Sequence, residues 1–326
     1  MTLVLTASQL EALVRRPATV DAVASIFAEI ARGGAVQPSP TSMGTDSDTG
    51  RYLLMSAASD ATGTAVVKLL ADVPDNAPRG LPTQRSTIVV VDRRDGAPLA
   101  VMHGGVPTRV RTAAASAVAT RALARPDSRV LGLVGAGNLA REHLLAMQGA
   151  CGFERAVVWS RTRERADAFA AASSGWEVSV ADSVEAVFGE ADVVCTLTPS
   201  VEPLVRGKWL RAGQHVNIVG ARPRPDEREV DAATMARGSI WVDDRPTAET
   251  KSGDLMLAVA EAAVALSDVV GTIGEVLAGD VRGRRSADEI TLFDSVGIGA
   301  QDLAIAALLL DAARAAGIGT EIDLAA

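Results

Sequence analysis

The segment Gly132-Leu133-Val134-Gly135-Ala136-Gly137-Asn138-Leu139-Ala140 contains a G-x-G-x-x-A run that leaves a strand-like stretch and opens a helix-like one. Gly135 permits a tight turn, Gly137 lets the backbone approach a pyrophosphate, and Ala140 keeps the helix close to the strand. The helix N-terminus then faces the negative charge. Such a loop alone is a weak signal. Here a strand precedes it, a helix follows it, and a second strand ends about 22 residues on, as in a dinucleotide fold.

The end of that second strand, Val158-Trp159-Ser160-Arg161-Thr162-Arg163, reports on cofactor type. A site for NAD places Asp or Glu there to hold the ribose 2′-hydroxyl. This segment has no acid. Its hydroxyl–Arg–hydroxyl cluster suits a 2′-phosphate dianion, so NADP(H) is favoured and NAD(H) remains possible. The competing reading is that Arg161 and Arg163 merely cap the next helix and solvate the surface.

Two further cations lie in apolar surroundings. Lys68 interrupts the strand Ala65-Val66-Val67-Lys68-Leu69-Leu70, and a buried lysine without an anion is costly. Arg111 opens an alanine-rich helix, where the helix dipole gives it nothing. An anionic ligand would explain both; a snorkelling edge lysine and a structural salt bridge are the alternatives. The histidines offer less. His103 ends a strand, His143 lies one turn into the helix after the glycine loop, and His215 begins a strand; all three are read as structural or packing residues first.

These residues need elements to position them. Across 326 residues, 48% are hydrophobic and 3% aromatic, so the core must be aliphatic. A net charge of −8 weighs against nucleic acid as a partner. No apolar run approaches the roughly 20 residues of a membrane span, and the N-terminus lacks a signal-peptide pattern. Cys151 and Cys195 have neither disulfide-framework nor zinc spacing and are expected reduced in a cytoplasmic protein; no metal site is expected. Asp46-Ser47-Asp48-Thr49-Gly50 reads as a polar turn rather than a calcium loop.

Residues 8–32 predict a helix broken at Pro17. Strands are predicted over 51–58, 64–73, 86–92 and 97–104, giving a mostly antiparallel sheet. A helix follows over 108–124. Beyond it strands at 130–135, 156–159, 178–180, 192–197, 215–220, 239–244 and 290–297 alternate with helices, the rhythm of a parallel sheet covered on both faces. The last helix, Gln301 to Ala316, has the length to pack back on the first part. The expected fold is α/β, a Rossmann-type doubly wound sheet (113–299) inserted into a discontinuous α+β substrate and dimerisation domain (1–112 plus 300–326).

Taken together, Arg111-Thr112-Ala113-Ala114, Gly135-Ala136-Gly137, Ser160-Arg161-Thr162, Ala191-Asp192-Val193-Val194-Cys195-Thr196, His215 to Ala221 and Phe293-Asp294-Ser295-Val296-Gly297 resemble the ornithine cyclodeaminase/mu-crystallin family in order and spacing, over roughly residues 50–310. The resemblance implies a homodimer, with Lys68 and Arg111 holding a substrate carboxylate and serving the reaction. It implies cofactor contacts at Thr83, Gln84, Arg111, Gly135, Ala136, Gly137, Asn138, Leu139, Ser160, Arg161, Thr162, Thr198, Val219 and Ser295. Asp302 matches a recurrent family aspartate, with a helix-surface or capping role equally open.

Departures from the pattern narrow the activity. A carboxylate-binding arginine common after Q-P-x is missing from Gln37-Pro38-Ser39-Pro40-Thr41. The aspartate that cyclodeaminases carry after the fifth strand is replaced in Gly220-Ala221-Arg222, and Asp226 comes several residues later. The ketimine reductase branch also lacks it. The resemblance therefore implies an oxidoreductase that reduces the C=N bond of a carboxylate-bearing imine with NAD(P)H. Amino-acid or opine-type dehydrogenation, redox-neutral cyclodeamination and non-catalytic ligand binding are the alternatives.

Overall fold

The computed structural model describes residues 1–44, 50–149, 152–221 and 224–324. The expected polar turn at Asp46-Ser47-Asp48-Thr49, Cys151 and Arg222 lie outside the described residues. The chain divides into two compact units, Met1–Arg111 with Ile298–Ala326, and Thr112–Gly297. These boundaries stand one and two residues from those expected.

The first unit opens with β1 (Thr2–Leu5), α1 (Ala7–Leu13) and α2 (Arg16–Ala31). The break predicted at Pro17 is not found there: Pro17 lies in the first turn of α2, where its missing N–H has no helical partner to lose. The chain parts earlier, at Val14 and Arg15. Then come β2 (Ala35–Val36), β3 (Thr41–Met43), β4 (Arg51–Ser59), β5 (Thr64–Asp72), β6 (Gln84–Asp92) and β7 (Pro98–His103). Helix α3 (Gly105–Leu123) crosses the unit boundary and starts three residues before the predicted helix, so Arg111 stands in its second turn rather than at its opening.

The second unit alternates β8 (Val130–Val134), α4 (Asn138–Met147), β9 (Arg155–Trp159), α5 (Arg163–Ala172), β10 (Glu177–Val180), α6 (Val184–Glu190), β11 (Val193–Thr196), β12 (His215–Ile218), α7 (Ala232–Arg237), β13 (Ser239–Val242), α8 (Arg245–Lys251), α9 (Gly253–Ala260), β14 (Val269–Thr272), α10 (Ile273–Ala278) and β15 (Thr291–Asp294). The strands are all parallel, in the order β10-β9-β8-β11-β12-β15-β13-β14. The order reverses between β8 and β11, the switch point where open α/β sheets bind ligands at their carboxyl ends. Val193–Thr196 and His215–Ile218 are buried on both faces, so these strands lack alternation.

The chain then returns to the first unit as α11 (Gly299–Ala316) and β16 (Thr320–Ile322). The first sheet runs β16-β1-β7-β6-β5-β4-β2, with β3 also on β4. It is antiparallel except where β1 pairs with β7. One face of β5 is buried through Val66, Lys68 and Leu70, under α11. The start of α11 lies so close to β4 that a Cβ on Gly299 would stand 2.4 Å from the Ser56 carbonyl oxygen.

Candidate functional site

In the first unit, β5, α3 and α11 converge on one buried ionic cluster. Lys68 is 0% exposed, and its Nζ lies 2.5 Å from Asp302 Oδ2 and 3.5 Å from Thr108 Oγ1. Arg111 donates from Nε to Asp302 Oδ1 at 3.1 Å and from Nη1 to Gln301 Oε1 at 2.5 Å. Burial pulls the Lys68 pKa down to about 8; the Asp302 charge opposes that shift and Arg111 adds to it. Two cations thus face one carboxylate, and one positive charge is left over in a place where uncompensated charge is costly. A second carboxylate brought by a ligand would balance the cluster. Asp302 is fully buried as the bridge between Lys68 and Arg111 and is not a helix-surface group. No sequence signal beyond the family match distinguished it, because its partners lie far away along the chain.

In the second unit, the glycine loop joins β8 to α4. Gly135 has φ +123°, a backbone region that favours glycine, and its Cβ would stand 2.9 Å from the Leu197 carbonyl oxygen. Gly137, the N-cap of α4, is different: a Cβ there would meet no atom within 4 Å. Packing within the protein does not require glycine at 137, whereas the close approach of a pyrophosphate does. Ala140, in the first turn of α4, is fully buried. Asn138 and Leu139 form the first turn of α4.

A cavity of about 530 Å³ opens beside this loop, lined by Gly135, Ala136 and Gly137, by Ser160, Arg161 and Thr162, and by Thr198 among others. The arginines after β9 divide. Arg163 is held by Asp167 at 3.1 Å and Asp182 at 2.6 Å, and is a surface residue. Arg161 lines the cavity, and so does Arg165, which the sequence reading missed. Its signal was present, because Arg165 stands only four residues after Arg161 in the same basic segment. Neither has an ion-pair partner among the described residues. The residues present therefore fit a dinucleotide.

Val219 and Ser295 meet in a small neighbouring recess with Asp254 and Asp294. Ser295 donates to Asp243 Oδ2 at 3.3 Å, and Ser252 donates to Asp294 Oδ2 at 2.6 Å. Burial raises the Asp294 pKa to about 7, and Asp243 adds to that rise. Thr83 and Gln84 belong to the first unit, at the start of β6, where the Thr83 carbonyl accepts from Val73 N–H at 2.7 Å.

Two of the three histidines are buried and hydrogen-bonded within the fold. His143 is buried between Ser116 Oγ (2.9 Å from Nε2) and the Leu139 carbonyl (2.8 Å from Nδ1), with its pKa lowered to about 4 by burial. His215 is buried between Thr291 Oγ1 at 2.9 Å and Asn217 Oδ1 at 3.2 Å, and burial lowers its pKa to about 3. His103 is exposed at the end of β7, and Asp226 is exposed as well. Cys195 is buried and unbridged. No helix among the described residues is long and apolar enough to cross a membrane.

Residues 1–317 match the family model described as "Ornithine cyclodeaminase/mu-crystallin family". The chain is 35% identical over 292 residues to the ketimine reductase mu-crystallin of Mus musculus, covering 90% of each chain. Among solved structures it is similar to a Thermococcus litoralis Delta(1)-pyrroline-2-carboxylate reductase in complex with NADH and L-proline, with TM-score 0.94, 33% identity, and 98% and 100% of the two chains covered. An archaeal alanine dehydrogenase dimer with bound NAD follows at TM-score 0.93 and 32% identity, covering 99% of each chain.

Proposed function

The chain belongs to the ornithine cyclodeaminase/mu-crystallin family, and we propose that within it the protein is a nicotinamide-dependent oxidoreductase that reduces the C=N bond of a carboxylate-bearing imine, a cyclic ketimine or imino acid. The observation that carries this reading is the uncompensated positive charge of Lys68 and Arg111 around Asp302. A substrate carboxylate completes the cluster, and fixing it orients the imine for transfer. With its pKa lowered to about 8 by burial, Lys68 is still mostly protonated at neutral pH and so can pair with that carboxylate. The bound nicotinamide supplies the hydride. Thr83, Gln84, Arg111 and the second-unit residues from Gly135 to Ser295 named above are its proposed contacts.

The cofactor is NADP(H) in this reading. A 2′-phosphate is matched by two cavity-lining guanidiniums, Arg161 and Arg165, together with the Ser160 and Thr162 hydroxyls. Oxidative amino-acid dehydrogenation is the same reaction reversed, and the resemblance to alanine dehydrogenase supports it as the second reading. The protein works in the cytoplasm as a homodimer. Its outward sheet face, where Tyr52, Val67 and Leu69 are 37%, 37% and 43% exposed, is apolar enough to pair with a second copy. Val67→Asp should then yield a monomer in light scattering; an unchanged mass would remove that face from the interface.

The function is tested by following NADPH consumption with piperideine- and pyrroline-2-carboxylate. Turnover supports the reductase. Absence of turnover with any imine, alongside ornithine-dependent ammonia release, would overturn it.

A further inference from the structure

Glu229, just before α7, is a fully buried carboxylate at the carboxyl edge of the parallel sheet. Its Oε1 accepts from the Thr198 N–H at 2.7 Å and the Thr198 hydroxyl at 2.6 Å. Its Oε2 accepts from the Thr196 hydroxyl and the Gly220 N–H, both at 2.6 Å. Thr196 ends β11, while Thr198 and Gly220 lie in the segments leaving β11 and β12. Those segments touch: a Cβ on Gly220 would stand 2.3 Å from the Thr198 nitrogen. Glu229 is itself held, because Asp254 Oδ1 accepts from the N–H groups of Glu229 at 2.9 Å and Val230 at 2.8 Å.

We propose that Glu229 is a positioning residue for dinucleotide binding. Its one carboxylate ties the ends of β11 and β12 together and so sets Leu197, Thr198, Pro199 and Ser200, which line the cavity, against the glycine loop. The inference rests on the reading that this cavity holds the dinucleotide. Glutamine cannot replace the residue. Each oxygen takes one backbone N–H, so an amide NH₂ would face a backbone donor whichever way it turned. Asp192 supplies a contrast. It makes a similar clamp at the amino edge of the sheet, accepting from Arg129 N–H at 2.8 Å and Val130 N–H at 3.0 Å, and it does not line the cavity.

The test uses the full chain and reads three quantities: the NADPH dissociation constant by quenching of protein fluorescence (Trp159 lines the cavity), the imine KM at saturating NADPH, and the melting temperature. Glu229→Gln should weaken NADPH binding by about tenfold or more, as expected when a buried donor loses its acceptor. Thr196→Val, nearly isosteric and away from the cavity, should weaken it by about threefold to tenfold. Both should leave the imine KM unchanged. Asp192→Asn should lower the melting temperature while keeping the NADPH constant within about twofold. If Glu229→Gln does not fold, Thr196→Val decides. The proposal falls if Glu229→Gln or Thr196→Val binds NADPH like the wild type, or if Asp192→Asn weakens binding as much as Glu229→Gln. A wild type that binds neither NADPH nor NADH would instead remove the cavity reading itself.

Discussion

Lys68 and Asp302 meet at 2.5 Å, both fully buried, one from an early strand and the other from the last long helix. Arg111 closes the group on the far carboxylate oxygen. Asp302 thereby sets the charge of the cluster: without it two cations would lie together in a low-dielectric interior. Asp302→Asn should destabilise the protein by about 3–5 kcal/mol, the usual cost of stranding buried charge. A carboxylate ligand should restore part of that loss in thermal melts. A variant as stable as the wild type would show that the cluster is not electrostatically coupled.

The lowered pKa of Lys68 predicts a pH profile. The protonated amine binds the carboxylate, so kcat/KM, which reports the free enzyme, should fall as pH rises through about 8. Lys68→Met should lower kcat/KM and lose that alkaline limb. If the limb persists in the variant, another group titrates there.

The proposed NADP(H) preference rests on Arg161 and Arg165 rather than on Arg163, which Asp167 and Asp182 already hold. Alanine at 161 or 165 should weaken NADPH by about 10- to 100-fold, the loss of a charge-assisted contact, while NADH binding stays within about twofold. Arg163→Ala should leave the ratio unchanged. Equal wild-type affinities for NADPH and NADH would remove the 2′-phosphate argument.

Two glycines should fail in opposite ways. Gly137→Val has room in the protein, so its melting temperature should hold while dinucleotide binding is lost. Gly220→Ala places a Cβ 2.3 Å from the Thr198 nitrogen, so the fold itself should weaken. A Gly137→Val variant that still binds NADPH would contradict the pyrophosphate reading.

His143 carries a stability prediction. Its folded pKa, about 4, lies below the ordinary value of 6.5, so the unfolded chain takes up the proton first as the pH falls. Its contribution is present above pH 6.5 and declines by about 3 kcal/mol between 6.5 and 4. Denaturant melts of wild type against His143→Gln across that range should diverge in this sense; parallel curves would show that His143 titrates normally.

Much of this was legible beforehand, for local reasons. The glycine loop, the βαβ rhythm and the alternation around Lys68 are written in neighbouring residues. Other features depend on distant partners. The short edge strands Thr2–Leu5 and Thr320–Ile322 exist because they pair with each other and with β7. Pro17 could be read as a breaker because a helix's first turn and its interior look alike in sequence. Asp302 and Glu229 carry no local mark, since their partners arrive from other strands and helices.

The central claim is that the Lys68–Arg111 cluster recognises a substrate carboxylate, and one comparison tests it most directly. Initial rates of NADPH oxidation should be measured with 1-pyrroline-2-carboxylate and with 1-pyrroline, which differ only in that group. Turnover confined to the carboxylate, and lost in Arg111→Ala, is the predicted result. Equal rates on the two imines, or an Arg111→Ala variant with unchanged kinetics, would contradict it.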